Sequence, residues 1–83
     1  MDARDATLAL VASRAESATV CPSEVARVLA KANGGEAAAD WRGMMPAVHA
    51  AVDQLVADGV VRLSWKCNPL PVRAGPYRIA RVR

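Results

Sequence analysis

The feature that most constrains the fold is a single change in the spacing of apolar residues near Gly59. Before this glycine, apolar residues recur every three or four positions, which is typical of amphipathic helices. After it, Val60–Lys66 alternates apolar and polar residues, which is typical of a half-buried strand. The chain has 83 residues, so we expect residues 1–83 to form a single small domain with one core.

Helix start and stop signals define two helices in the first part of the chain. The first is predicted from Ala3 to about Glu16, and Ser17–Val20 after it has room for a very short strand. The second is predicted to begin at Cys21-Pro22, because proline is favoured in the first helical turn, and to end at Asn33-Gly34-Gly35.

The third helix is predicted from an N-cap at Asp40 to Asp58, and Pro46 favours a separate short turn over Trp41–Met45. Beyond it we predict two strands, Val60–Lys66 and Tyr77–Val82, joined by a loop over Cys67–Gly75. The strand residues expected to face the helices are Val61, Leu63, Trp65, Tyr77 and Ile79. Those expected on the solvated face include Arg62, Lys66, Arg78 and Ala80.

This order of elements predicts a mainly α fold with a small β-hairpin, an α+β domain. It is the order of a winged helix-turn-helix, in which three helices are followed by a two- to three-stranded antiparallel wing. The segment Met45–Val61 resembles the third helix and first wing strand of many such domains.

Three pieces of the sequence carry a closer resemblance. They are Cys21–Ala26 (CPSEVA), Asp40–Val48 (DWRGMMPAV) and Gly75–Ile79 (GPYRI). Together they resemble the small bacterial domain-of-unknown-function family 3253, and this resemblance implies a winged-helix fold with no established activity. The chain departs from the family pattern at Cys67–Leu70, where a glycine-containing turn is usual, and at the extra residues Gly34–Ala39.

Charge is divided unevenly along the chain. Residues 1–59 contain five basic and eight acidic side chains, a net charge of −3, whereas residues 60–83 contain six basic side chains and no acidic one. Such asymmetry points to a polyanion partner for the basic part, and the strand pattern places that part on the wing. The sequence therefore predicts phosphate contacts to duplex DNA from Arg62, Lys66, Arg73 and Arg78.

The third helix favours weak or non-specific DNA binding. In helix-turn-helix proteins this helix reads base edges, but here its outer face is mostly alanine and includes Asp53. Arg42, His49 and Gln54 are the only donors that it offers. The alternative is a winged-helix interaction module that binds a protein partner or a second copy of the chain without binding DNA.

Other classes of function have little support in the residues. The chain has two cysteines and one histidine at spacings unlike those of a metal site, and it has no glycine-rich phosphate loop. We therefore expect no enzyme activity, no cofactor, no metal and no membrane partner. The N-terminus lacks the basic start of a signal peptide, so we expect a cytoplasmic protein with Cys21 and Cys67 reduced. The two tryptophans are expected in the core.

Overall fold

The computed structural model describes residues 2–14, 18–33 and 40–82. The described residues form three α-helices, α1 (Ala3–Ser13), α2 (Pro22–Ala32) and α3 (Met45–Ala57), with a short 3-10 helix (Trp41–Met44) before α3. They also form three strands, β1 (Val61–Trp65), β2 (Asn68–Leu70) and β3 (Arg78–Arg81). The mixed α+β composition predicted from the sequence is confirmed, and the arrangement is consistent with a winged helix.

Local signals explain where α2 and α3 begin and end. Cys21 precedes α2, and its backbone N–H donates to Glu24 Oε2 at 2.8 Å, which satisfies one donor at the helix start. At the end of α3, Gly59 has a φ of +75°, and the Val60 N–H donates to the Leu55 carbonyl oxygen at 3.0 Å. This is a Schellman-type ending, and it turns the chain directly into β1.

The first helix is shorter than predicted. It ends at Ser13, and Arg14 already has an extended backbone, whereas the spacing predicted a helix to about Glu16. The expected strand near Ser17–Val20 is reduced to one antiparallel bridge between Val20 and Ile79, with N···O distances of 2.7 and 2.8 Å. Residues 15–17 and the glycines at 34 and 35 lie outside the described residues.

The sheet has the order β2-β1-β3, and both pairs are antiparallel. The prediction of an unstructured loop over Cys67–Gly75 is wrong in part, because Asn68–Leu70 pairs with β1. The sequence pattern did not indicate this strand because proline is rare in strands. Pro69 is tolerated here because β2 is an edge strand, where the missing N–H of proline is not needed for pairing.

The core lies between the helices and one face of the sheet. Val48, Val52 and Leu55 of α3 are fully buried, as are Val20 and Ile79 of the bridge. The prediction that Trp65 lies in the core was wrong: it is the last residue of β1 and is 38% exposed, because only a shallow pocket separates it from the helices on that side. Ala80 lies on the outer face as expected, opposite Arg62, but it is only 5% exposed because its short side chain is covered there.

The turn between β1 and β2 offers a test of local strain. Lys66 and Cys67 have φ values of +50° and +68°, a left-handed conformation that L-residues adopt at a cost of roughly 1–2 kcal/mol each. We expect Cys67→Gly to raise the free energy of unfolding by about 0.5–1 kcal/mol, measured by urea denaturation. Cys67→Ser is the matched control, because it removes the thiol and keeps the Cβ. An equal gain in both variants would contradict the role of the backbone.

Candidate nucleic-acid interface

Three of the four basic residues predicted to contact DNA from the wing, Arg62, Lys66 and Arg78, meet on the outer face of the sheet, the face turned away from the helices. The β1–β3 register places Arg62 opposite Ala80 and Ser64 opposite Arg78, so these side chains share that face. They line a shallow groove of about 620 Å³, called the basic groove below. Its lining residues are Thr19, Arg62, Leu63, Ser64, Trp65, Lys66, Cys67, Pro69, Arg78 and Ala80.

The basic groove is positively charged. Three of its described lining residues, Arg62, Lys66 and Arg78, are basic and none is acidic. Arg62 and Lys66 are exposed, and neither forms an ion pair with a carboxylate of the described residues. Their guanidinium and ammonium groups are therefore available to a ligand from solvent. The arrangement can bind an extended anion through charge, without a pocket deep enough to surround it.

Arg78 is the anchored member of the three. It is half-buried, and its Nε donates to Thr19 Oγ1 at 3.0 Å while Nη2 donates to the Thr19 carbonyl oxygen at 3.4 Å. The Val20–Ile79 bridge brings Thr19 next to β3. These bonds fix the guanidinium in one place, which lowers the entropic cost of using it to bind a ligand.

Glu24, in the first turn of α2, is near enough to Arg78 for that charge to act on its carboxyl. The backbone N–H of Cys21 lowers the pKa of its carboxyl, and the charges of Arg14 and Arg78 lower it further. Arg14 Nη2 lies 3.0 Å from Glu24 Oε1. Glu24 therefore remains ionised near neutral pH and partly offsets the charge of Arg78, which leaves Arg62 and Lys66 as the stronger cations of the groove.

The other predicted contact residues lie elsewhere. Arg73 forms two hydrogen bonds to the carboxylate of Asp53 on α3, at 2.9 and 3.1 Å, so it lies against the third helix instead of in the groove. This pairing lowers the pKa of Asp53. Gln54 accepts a hydrogen bond from Arg4 Nη1 at 3.3 Å, and the same Arg4 nitrogen lies 3.1 Å from Asp58 Oδ2. The Gln54 side-chain oxygen and the carboxylates of Asp53 and Asp58 thus already accept hydrogen bonds from arginines of the protein.

Arg42 and His49 lie on a third surface, beside the aromatic residues. The Arg42 guanidinium is 4.5 Å from the centre of the Trp41 ring. His49 Nδ1 lies 2.7 Å from the hydroxyl oxygen of Tyr77, and the two rings are tilted with centroids 5.6 Å apart. The structure therefore joins three of the seven predicted site residues in the groove and distributes the other four between α3 and the aromatic residues.

Sequence reasoning missed Thr19, Ser64 and Pro69 as neighbours of the basic residues. Alternation along β1 identifies Ser64 as sharing a face with Arg62, so that signal was present. Nothing local identifies Thr19, because its place depends on a bridge between residues 59 positions apart. Pro69 was missed because it lies in β2, the strand that was not predicted.

His49 gives the fold a dependence on pH. Burial lowers its pKa, the charge of Arg73 adds to this, and Asp53 opposes it. The unfolded chain therefore binds a proton more readily than the folded protein as the pH falls below about 6.5. We expect the free energy of unfolding, measured in urea, to decrease as the pH is lowered from about 7 to 5.5.

The control for this pH effect is His49→Gln. His49 is the only histidine of the chain, and the lowered pKa values of Asp53 and Glu24 keep both carboxylates ionised over this range. The variant should therefore show a flatter dependence of stability on pH than the wild type. An identical decrease in both proteins would contradict the assignment to His49.

Two negative findings apply to the described residues. Within them, no group of three or more His, Cys, Asp or Glu side chains is placed to hold a metal ion. In the same ranges, every helix is too short or too polar to cross a membrane.

The fold and the groove define the class: a small α+β domain, consistent with a winged helix, with a cationic sheet face. The chain belongs to the family described as "Protein of unknown function (DUF3253)", whose model matches residues 2–82. The resemblance noted in the three sequence pieces is thereby confirmed. No curated protein matches the chain.

Proposed function

We propose that this protein binds the phosphate backbone of duplex DNA, weakly and without sequence preference, through the basic groove. The observation that carries the proposal is that Arg62, Lys66 and Arg78 line one groove together with no acidic residue among the described lining. Cations placed in this way release counterions from DNA on binding, and this supplies most of the affinity in non-specific complexes.

We expect low sequence specificity because the outer face of α3 offers few side chains that could contact bases. Base readout needs free donors on the helix that enters the major groove. The outer face of α3 is mostly alanine, Gln54 Oε1 already accepts a hydrogen bond from Arg4, and Asp53 adds a negative charge that is held in place by Arg73. Contacts that involve only phosphates carry no direct sequence information. The proposed function is DNA binding with no catalytic step, and the proposed location is the cytoplasm.

The test is a titration of random-sequence duplex DNA over a series of salt concentrations. Three phosphate contacts predict a slope of about −2.7 for log affinity against log salt concentration. A second duplex of unrelated sequence should bind equally well. Absence of binding at low salt would refute the proposal, and a strong preference for one sequence would refute its non-specific character.

A second candidate, self-association through the outer face of α3, is favoured by one observation. Val72 is 66% exposed and lies in a shallow groove beside Val56 and Ala57 of that helix. Exposed apolar side chains of this kind are typical of contacts between copies. Light scattering over a range of protein concentrations tests it: a dimer that Val72→Asp dissociates supports this candidate, and a monomer at every concentration refutes it.

A further inference from the structure

A separate pocket, called the aromatic pocket below, lies between the start of α2, the 3-10 helix with the first turns of α3, and the chain just before β3. It has a volume of about 470 Å³. Trp41, Arg42, His49, Trp65 and Tyr77 are among its lining residues. It shares only Trp65 with the basic groove, and none of the three basic residues that carry the proposed DNA contact.

The walls of this pocket are flat and apolar. Both tryptophans of the chain and its single tyrosine line it, although they are far apart in the sequence. Tyr77 is only 3% exposed and its hydroxyl is bonded to His49, so its polar end is already satisfied within the protein. Trp65 remains 38% exposed. Exposed aromatic surface of this kind favours a planar ligand that can lie against the rings.

The charge at the pocket is positive. Arg42 is the only charged residue among the described lining residues, since burial and the nearby Arg73 lower the pKa of His49 and favour its neutral form. The guanidinium groups of Arg27 and Arg42 both lie over the Trp41 ring, 4.6 and 4.5 Å from its centre. Neither arginine forms an ion pair with a carboxylate of the described residues. The Arg42 guanidinium is therefore available to an anionic ligand from solvent.

We propose that the aromatic pocket binds a planar aromatic carboxylate, with its ring against Trp65 and its carboxylate paired with Arg42, which lies over Trp41. The apolar walls favour an aromatic ring in the ligand, because stacking on aromatic side chains buries the surface of that ring. The unpaired guanidinium favours a ligand with a carboxylate, because its planar group can donate two parallel hydrogen bonds to the carboxylate oxygens. A single cation at the rim, in contrast to the row in the basic groove, fits one carboxylate better than a chain of phosphates.

The test uses 2-naphthoate as the probe and 2-naphthylmethylamine as its cationic counterpart. The protein is labelled with ¹⁵N, so each tryptophan contributes one indole N–H signal. We expect 2-naphthoate to shift both signals with a common saturation curve, and the amine to shift them little. Arg42→Gln should weaken 2-naphthoate binding about tenfold, as expected for the loss of one charge-assisted contact.

Lys31→Gln is the matched control, since Lys31 is also an exposed cation but does not line the pocket. It should bind 2-naphthoate as the wild type does. Unshifted indole signals would overturn the site, and equal binding of the amine would overturn the anionic class of ligand. Unchanged affinity in Arg42→Gln would overturn the role of that residue. If dilution alone shifts both indole signals, a second copy occupies the pocket and the proposal fails. None of these outcomes depends on DNA binding.

Discussion

Replacing Arg62, Lys66 and Arg78 together with glutamine should abolish most of the salt dependence of DNA binding. The wild type, with three phosphate contacts, is expected to lose affinity roughly fortyfold between about 50 and 200 mM salt. The triple variant should change little over the same range, because few counterions are released on binding. Glutamine keeps a polar side chain without the charge, so the substitution tests charge in particular.

Two matched single variants test whether the salt dependence of DNA binding comes from the basic groove. Lys66→Gln removes a cation from the basic groove, whereas Lys31→Gln removes an equally exposed cation at the end of α2. The first should reduce the slope by about 0.9 and the second should leave it unchanged. Equal effects would mean that net charge alone, and not the groove, attracts DNA. Arg78→Gln also removes the bonds to Thr19, so its folded state is checked by circular dichroism.

The largest effect on stability is expected for Leu55→Ala. Leu55 is fully buried in α3, where it belongs to the core cluster together with Val52 and Leu63. Alanine is favourable in a helix, so the loss comes from the cavity and from reduced apolar burial, about 2–5 kcal/mol. A domain of this size has a total stability of only roughly 4–12 kcal/mol, so the variant should be partly unfolded at 37 °C.

Val72→Ala is the control for this substitution. Val72 is 66% exposed, so shortening it should change the free energy of unfolding by less than about 0.5 kcal/mol. Both variants are measured by urea denaturation against the wild type. A loss of less than about 1 kcal/mol in Leu55→Ala would show that the core tightens around the missing side chain.

The helices and the first strand were predictable because their signals are local. Pro22 marks the start of α2, and Gly59 with its positive φ marks the end of α3. The alternation of Val61 and Leu63 with Arg62 fixes which face of β1 is buried. The short edge strand was missed, because its pairing with β1 overrides the local preference of its proline. The end of α1 was missed as well, because Arg14 adopts an extended backbone that the apolar spacing does not signal.

Some features of the candidate site were also predictable from local sequence, and others were not. The sequence by itself determined that the basic charge lies in the last part of the chain and that Arg62 and Arg78 point away from the helices, since alternation along a strand depends only on the backbone. Only the tertiary structure decided that Arg73 pairs with Asp53, that Thr19 holds Arg78, and that two distant tryptophans share one pocket. Those contacts join residues far apart in the chain, and no local pattern encodes which distant partners the packing will bring together.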